Sequence, residues 1–157
     1  HGYYTPPFSL QGKTVLDVGA SSGEVAYFYR KVLGASKVIC VECDVKRLKL
    51  LHYNAEKLGN VEVIGEFFSR KHLVEFDYDF VKCDVEGYEM ILHDYLRTGG
   101  VEKPTVLEAH TMWVKDQFEQ VGFGVVRELS NCDMAGIKVY LMANYQKFLH
   151  VNRQRSA

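Results

Sequence analysis

The chain has 157 residues, of which 47% are hydrophobic and 25% charged, as is typical of one globular domain. Its net charge of −1 excludes the overall basic character of a nucleic-acid-binding domain, so a nucleic-acid partner is not expected, although a local basic patch stays open. No apolar run approaches the roughly twenty residues that cross a bilayer, and no membrane partner is expected. The composition does not define an oligomeric state.

Strand-like and helix-like segments alternate along the chain. The final two strands have no helix between them, which predicts an antiparallel hairpin. The link from the third to the fourth strand is too short for a full crossover helix, and a single turn near 70–73 is expected there. The pattern predicts a doubly wound α/β sheet of seven strands in a single domain at 13–143, with a tail at 144–157. Predicted strands lie near 15–18, 37–43, 61–64, 78–84, 105–110, 124–129 and 137–142, and predicted helices near 24–33, 44–58, 88–96 and 113–121.

The N-terminal arm, residues 1–12, contains Tyr3, Tyr4 and Phe8. These aromatic side chains favour an arm that packs on the domain, with a small flap over the site as the alternative.

The first strand ends in the pattern Asp17-x-Gly19-x-x-x-Gly23. Apolar residues before Asp17 indicate a strand covered on both faces, and the glycines let the backbone approach a ligand closely. The pattern differs from the Gly-x-Gly-x-x-Gly loop that holds a pyrophosphate. An acid at the strand end suits a ligand that carries an amine and no phosphate.

Glu42 stands at the end of the second predicted strand. A carboxylate there can accept hydrogen bonds from ribose hydroxyls, as in nucleoside-binding sheets. A solvated strand-end acid is the alternative. The combination of Glu42 with the Asp17 loop favours the ribose role.

Four cysteines are present, and two of them, Cys40 and Cys43, have Cys-x-x-Cys spacing. Both fall in a predicted strand, where alternation would place them on opposite faces and prevent them from sharing a metal. Buried thiols in a reducing compartment are expected for these and for Cys83 and Cys132. A reducing compartment predicts a cytoplasmic protein. No signal peptide is visible, but the chain begins at His1 rather than Met, so a targeting signal is beyond the reach of this sequence.

A resemblance to a known family rests on two motifs. Asp17-Val-Gly-Ala-Ser-Ser-Gly resembles the first motif of class I S-adenosylmethionine-dependent methyltransferases, whose Rossmann-like sheet also ends in an antiparallel hairpin. The segment 82–89 resembles the Lys-x-Asp-x-Glu-Gly-x-Glu signature of the FkbM-like methyltransferases, and Leu107-Glu-Ala-His110 resembles their Leu-Glu-x-His strand end. This resemblance covers roughly residues 13–143.

The resemblance implies S-adenosyl-L-methionine as cofactor and assigns residues to it. The glycine loop would contact the methionine part, Asp17 would orient the loop and the ammonium group, and Glu42 would hold the ribose. Glu66, Phe67 and Phe68 occupy the usual adenine position, and ordinary core is the alternative for Phe67 and Phe68. The implied cofactor-binding residues are Asp17, Gly19, Ala20, Ser21, Gly23, Glu42, Cys43, Glu66, Phe67 and Asp84.

The expected chemistry is in-line displacement at a sulfonium methyl, for which the protein mainly supplies alignment and desolvation. A base assists an oxygen nucleophile, and the candidate catalytic residues are Asp84, Glu86 and His110. His110 could instead be a strand-end histidine bonded to a carbonyl. No metal is expected, because two carboxylates at i and i+2 show no obvious third ligand. The alternative is that Asp84 or Glu86 ligates a divalent cation that lowers the pKa of a hydroxyl.

These inferences predict a methyltransferase that methylates a hydroxyl of a small-molecule or glycan-like acceptor. One alternative is a non-catalytic cofactor-binding or protein-interaction module of the same fold. Another is an RNA methyltransferase, for which Lys13, Asp84, Lys115 and Glu128 fit the Lys-Asp-Lys-Glu set only loosely. The sequence does not identify the acceptor.

Overall fold

Seven strands form one sheet in the computed structural model, which describes residues 4–130 and 138–148. Their order is β3-β2-β1-β4-β5-β7-β6, with β1 to β5 parallel and β7 antiparallel to both β5 and β6. The predicted α/β fold with a terminal antiparallel hairpin is therefore confirmed. The strands are β1 (Thr14–Val18), β2 (Lys37–Val41), β3 (Val61–Ile64), β4 (Phe80–Cys83), β5 (Thr105–Ala109), β6 (Gly124–Ser130) and β7 (Lys138–Ala143).

Five α-helices connect the strands within the described residues. The first, α1, continues directly into a π-helical turn at Phe28–Val32, so the predicted helix at 24–33 has two parts. The short link between β3 and β4 holds a helix of only six residues, which agrees with the expected short turn. The helices are α1 (Glu24–Tyr27), α2 (Val45–Leu58), α3 (Arg70–Glu75), α4 (Met90–Arg97) and α5 (Met112–Gln120).

Both faces of the sheet are covered, because alternate side chains of the parallel strands point to opposite sides. On β1, Leu16 and Val18 join a cluster with residues of α3, α4 and α5. Val15 lies in a second cluster with residues of α1, α2 and the N-terminal arm. The molecule therefore has three layers, as the doubly wound arrangement requires.

The described part of the N-terminal arm packs against the second face. Tyr4 and Leu10 are buried in that cluster. The ring of Phe8 meets Phe80 and Tyr145 edge-on, with centroid distances of 5.9 and 5.7 Å. The favoured interpretation, a packed arm, is confirmed for residues 4–10, whereas Tyr3 lies outside the described residues.

The cysteines follow the prediction in part. Cys40 and Cys83 are buried free thiols, but Cys43 is exposed. The prediction for Cys43 was wrong because β2 ends at Val41, two residues earlier than expected. Cys132 lies outside the described residues. Among the helices that the model describes, none is both long and apolar enough to span a bilayer.

Candidate cofactor and acceptor site

The loops at the carboxyl ends of β1 to β4 surround a cleft of about 260 Å³. It lies where β1 separates β2 from β4, which is the point of the sheet at which the strand order reverses. Ligands of doubly wound sheets bind at such points. The volume is slightly below the range usual for ligand pockets, about 300–1,000 Å³. The lining residues are Gly19, Val41–Asp44, Arg47, Glu66–Phe68, Asp84–Glu86 and Tyr88.

The loop after β1 runs against the loop after β4. Gly19 has a φ of 76°, and a Cβ on it would lie 1.6 Å from the carbonyl oxygen of Asp84. The amides of Gly19 and Ala20 donate to the carbonyl of Val41 at 2.9 and 3.2 Å. A glycine is therefore required at position 19 by the contact between two loops of the sheet.

Glu42 is buried at the wall of the cleft. Its Oε2 accepts from the amide of Ser21 at 2.8 Å, and its Oε1 accepts from the amides of Cys43 and Asp44 at 2.9 and 2.8 Å. A carboxylate offers about four lone-pair positions, so these three donors leave about one for a ligand hydroxyl. Glu42 thus also ties the loop after β1 to the loop after β2.

Asp17 and Lys82 are direct cross-strand neighbours of β1 and β4, and both are buried. The ammonium of Lys82 lies 3.2 Å from Oδ1 of Asp17 and donates to the carbonyl of Gly19 at 2.8 Å. Burial raises the pKa of Asp17, although Lys82 opposes the shift. Burial would lower the pKa of Lys82, but the charges of Asp17 and Asp84 outweigh it and raise the pKa.

Asp17 therefore lies behind the glycine loop and does not line the cleft. Its position supports the predicted role of Asp17 in orienting the loop, because Lys82 links its carboxylate to the carbonyl of Gly19. The position does not support direct contact between Asp17 and an ammonium group of a ligand in the cleft. Lys82 begins the motif at 82–89, but its sequence position alone predicted no site role for it. Its position in an apolar strand, opposite an equally buried aspartate, is the signal that marks it.

The predicted adenine side is formed by the segment after β3. Glu66 pairs with Lys71, and the hydrogen bond between them lowers the pKa of the Glu66 carboxyl. Phe67 is 67% exposed and contacts the ring of Tyr88 at 6.2 Å, whereas Phe68 is buried in the core. Phe68 therefore belongs both to the core and to the lining of the cleft, while the exposed ring of Phe67 is accessible to a ligand ring.

His110 lies beyond the end of β5 among carboxylates. Its Nδ1 is 2.6 Å from Oε1 of the buried Glu89. Its Nε2 is 3.5 Å from Asp84, 3.7 Å from Glu86 and 3.7 Å from Glu108. Burial alone would lower the pKa of His110, but the hydrogen bond to Glu89 and the charges of Asp84 and Glu86 outweigh it and raise the pKa. The alternative for His110, a strand-end histidine bonded to a carbonyl, is not observed, because its Nδ1 pairs with a carboxylate instead.

Tyr4 brings the N-terminal arm to the same carboxylates. Its hydroxyl lies within hydrogen-bond distance of carboxylate oxygens of Glu108 and, at 3.2 Å, of Asp84, which share its single proton. The ring of Tyr4 also lies 5.3 Å from the ammonium of Lys82. Neither Tyr4 nor Glu108 received a site role from the sequence, because no local spacing connects an N-terminal arm to strand ends far along the chain.

The structure brings together most of the predicted site residues. Those that line the cleft are Gly19, Glu42, Cys43, Glu66, Phe67, Asp84 and Glu86. Ala20 is buried in the core, and Ser21 contributes its backbone amide to Glu42. Gly23 lines a different groove, of about 540 Å³, between α1 and α2, so its predicted place in the same cradle is not observed.

Comparison with known proteins places this geometry in a structural class. No protein-family model matches the chain. Ribosomal protein L11 methyltransferase of Thermotoga maritima is 30% identical over 97 residues, which are 60% of this chain and 36% of that protein. The chain thus spans about a third of the length of the curated relatives it matches.

Solved structures share the fold. Precorrin-6y C5,15-methyltransferase from Geobacter metallireducens has a TM-score of 0.63 and 19% identity, over 87% of this chain and 80% of that one. Fibrillarin from Aeropyrum pernix, solved with natively bound S-adenosyl-L-methionine, has a TM-score of 0.65 and 15% identity, over 87% of this chain and 68% of that one. An rRNA methylase from Streptococcus thermophilus has a TM-score of 0.58 and 14% identity, over 86% of each chain. The chain therefore has the fold of class I methyltransferases.

Proposed function

We propose that this protein is an S-adenosyl-L-methionine-dependent methyltransferase that acts on a hydroxyl of a small-molecule or glycan-like acceptor. The observation that carries the proposal is the juxtaposition of two groups of residues. Gly19 and Glu42 form one wall of the cleft, and Asp84 and Glu86 form another wall, beside His110. A methyl donor and the groups that accept a proton would thus meet at one edge of the sheet.

The residues of the cleft fit the proposed cofactor. Glu42 is buried and retains about one acceptor position for a ribose hydroxyl. The exposed ring of Phe67 can pack on a base, and Gly19 keeps the loop free of a side chain. The fibrillarin structure with natively bound S-adenosyl-L-methionine supports this assignment by likeness of fold.

The proposed reaction requires alignment and one proton acceptor. When bound, S-adenosyl-L-methionine would supply an electrophilic methyl group on a sulfonium sulfur, and transfer to a hydroxyl releases one proton. Asp84, which lines the cleft, and Nε2 of His110, 3.5 Å away, are placed to receive that proton. Glu89 holds the imidazole of His110 in this orientation through Nδ1.

The FkbM-like subfamily remains part of the proposal. Its support is that the motif residues form one connected network of ion pairs, which contains Lys82, Asp84, Glu86, Glu89 and His110.

The free thiols of the described cysteines support the proposed cytoplasmic location.

Binding of S-adenosylhomocysteine tests the cofactor assignment. At a concentration one hundred times its Kd, the ligand should stabilise the wild type by about 2.7 kcal/mol, measured by thermal unfolding. The E42A and E42Q variants should bind it at least tenfold more weakly by calorimetry, whereas E56Q, on the exposed side of α2, should bind normally. No binding by the wild type would exclude both the enzyme and the cofactor-binding module.

Methyl transfer tests the enzyme itself. H110Q should bind S-adenosylhomocysteine nearly as the wild type does, since His110 does not line the cleft, but it should transfer methyl groups at least a hundredfold more slowly because it loses a proton acceptor. Binding of S-adenosylhomocysteine by the wild type without any transfer to a broad panel of hydroxyl acceptors would favour the non-catalytic module instead.

A second candidate function is methylation of RNA. Its specific support is a basic and aromatic face on α2, from which Arg47 also lines the cleft. Tyr53 on this helix is 54% exposed and lies 4.1 Å from the ammonium of Lys57. The rRNA methylase with the same fold supports this candidate at the level of fold alone.

A further inference from the structure

We propose that Asp84, Glu86 and His110 form a divalent-cation site at the ends of β4 and β5. Each residue offers one ligand atom, and these atoms all lie within 4.8 Å of one another. Nε2 of His110 is 3.5 Å from Oδ1 of Asp84 and 3.7 Å from Oε2 of Glu86. These distances are long for hydrogen bonds but close to the separation of about 3.0–3.4 Å between ligands that surround one ion.

The imidazole is held in the orientation that a metal ligand needs. Glu89 is completely buried, and its Oε1 lies 2.6 Å from Nδ1 of His110. A proton on Nδ1 leaves the lone pair of Nε2 directed toward the carboxylates. This carboxylate–histidine arrangement is the one that commonly supports metal-binding histidines. Oε2 of Glu89 is also buried and has no hydrogen-bond partner among the described residues.

The charge of the cluster also favours a bound cation. Four carboxylates, those of Asp84, Glu86, Glu89 and Glu108, surround the single imidazole. The nearest ammonium in the described network, Lys82, is 3.8 Å from Asp84 and is already paired with Asp17. A divalent cation would offset this excess of negative charge in a half-buried position.

The ligand set favours a cation such as Mn²⁺. Carboxylate oxygens suit Mg²⁺, Ca²⁺ and Mn²⁺, whereas an imidazole is not an ordinary ligand of the first two. Oε2 of Glu108 lies 3.7 Å from Nε2 of His110 and is within reach as a fourth ligand. Water or an acceptor oxygen would complete the coordination.

The site has a clear relation to the cleft, because Asp84 and Glu86 line both. If the proposed function holds, the cation would bind the acceptor hydroxyl and lower its pKa, and His110 would serve as a ligand rather than as a base. The sequence favoured no metal because the carboxylate pair lacked a third ligand. The fold supplies that ligand from the end of β5.

Titration with Mn²⁺, followed by electron paramagnetic resonance of the free ion, tests the site. The wild type should bind one equivalent of Mn²⁺. E86Q and H110Q should bind Mn²⁺ at least tenfold more weakly. E89Q should bind it about 10–100-fold more weakly, because this variant no longer supplies the carboxylate that orients the imidazole of His110. E56Q, at an exposed glutamate of α2, should bind as the wild type does.

Glu86 is 76% exposed at its side chain, so E86Q should fold normally and keeps the experiment decisive. Failure of the wild type to bind Mn²⁺, or binding by E86Q and H110Q equal to that of the wild type, would overturn the proposal. Calorimetry with S-adenosylhomocysteine on the same samples separates the two hypotheses. Binding of that ligand without Mn²⁺ binding contradicts only the cation site, and the reverse contradicts only the proposed function.

Discussion

At the scale of single residues, Gly19 is constrained by backbone conformation and by lack of space. Its φ of 76° is rare for other residues, and a Cβ would meet the Asp84 carbonyl oxygen at 1.6 Å. Because that atom belongs to the backbone, the G19A variant must separate the loops after β1 and β4. We expect G19A to lose at least about 2 kcal/mol of unfolding free energy, measured by urea denaturation.

Gly12 provides a matched control for this prediction. Its φ of 74° is nearly the same, but nothing lies within 4 Å of its Cβ position. The G12A variant therefore has the conformational strain without the collision, and it should be clearly more stable than G19A. Equal losses of stability in the two variants would contradict the proposed loop contact.

The buried pair of Asp17 and Lys82 allows a second prediction. Removing one partner of such a pair leaves an uncompensated charge and typically costs 3–5 kcal/mol. We expect K82M to lose about that much stability by urea denaturation. The double variant D17N/K82M should be more stable than K82M alone, because it no longer leaves the Asp17 carboxylate buried without its charged partner. Additive losses in the double variant would show that the two side chains do not interact.

Local patterns predicted Gly19, Glu42 and Asp84 at the cleft because each follows a strand end. Lys82, Glu89 and Tyr4 were not predicted as site residues, since their roles depend on burial and on neighbours distant in sequence. The sequence predicted the strand end that Asp17 occupies. In the structure, however, its side chain lies behind the loop and does not line the cleft. Spacing along a chain shows which strand end a residue occupies, whereas the partner of its side chain follows from the register.

At the scale of elements, the order and type of all seven strands were predictable from alternating segments. The boundaries were less accurate, because β4 begins at Phe80 and β2 ends at Val41. The π-helical turn at Phe28–Val32 was not predicted, since the apolar spacing there differs little from that of an α-helix. Tyr29, within this turn, is buried and meets the ring of Phe80 on β4 edge-on at 5.8 Å.

Asp79, just before β4, ties the start of that strand to β1. It accepts from the amide of Thr14 at 2.9 Å and lies 3.3 Å from the ammonium of Lys13. Partial burial alone would raise its pKa, but these two donors outweigh it and hold the pKa below its usual value. A lowered pKa in the folded state stabilises the protein above the pKa of the unfolded state, about 3.9.

The D79N variant should therefore be less stable than the wild type at pH 7, by at most about 1 kcal/mol because the carboxylate is partly exposed. The difference should shrink as the pH falls from about 5 toward 3, since Asp79 is protonated in the unfolded state before it is protonated in the folded state. Urea denaturation across this range measures it. The control is D77N, at an exposed aspartate nearby, whose loss of stability should not change comparably between pH 5 and pH 3. A stability difference between D79N and the wild type that persists unchanged at pH 3 would refute this account.

At the scale of the whole molecule, the strand order determines where chemistry can occur. Since β1 lies between β2 and β4, the loops after these strands diverge and leave a cleft at their carboxyl ends. The end of β5 adds His110 beside the end of β4. The same topology thus places the residues that would hold a cofactor next to those that would handle a proton or a cation.

The balance of charge over the molecule distinguishes the two proposed acceptor classes. Nineteen lysines and arginines face twenty acidic residues, so the chain has no general attraction for phosphate. We therefore expect single-stranded RNA to bind more weakly than about 100 µM at physiological salt, measured by fluorescence anisotropy. An RNA substrate would instead have to rely on the basic face of α2, Lys46, Arg47, Lys49 and Lys57.

Four such contacts would give a slope of about −3 in a plot of log affinity against log salt concentration. The triple variant K46Q/K49Q/K57Q should then lose most of that slope while retaining its affinity for S-adenosylhomocysteine. Micromolar RNA binding with this salt dependence, abolished in the triple variant, would establish RNA as the better acceptor class. Weak binding that the triple variant does not change would instead favour the hydroxyl of a small or glycan-like molecule as the acceptor. The cluster around Asp84 needs no phosphate contacts to orient such an acceptor.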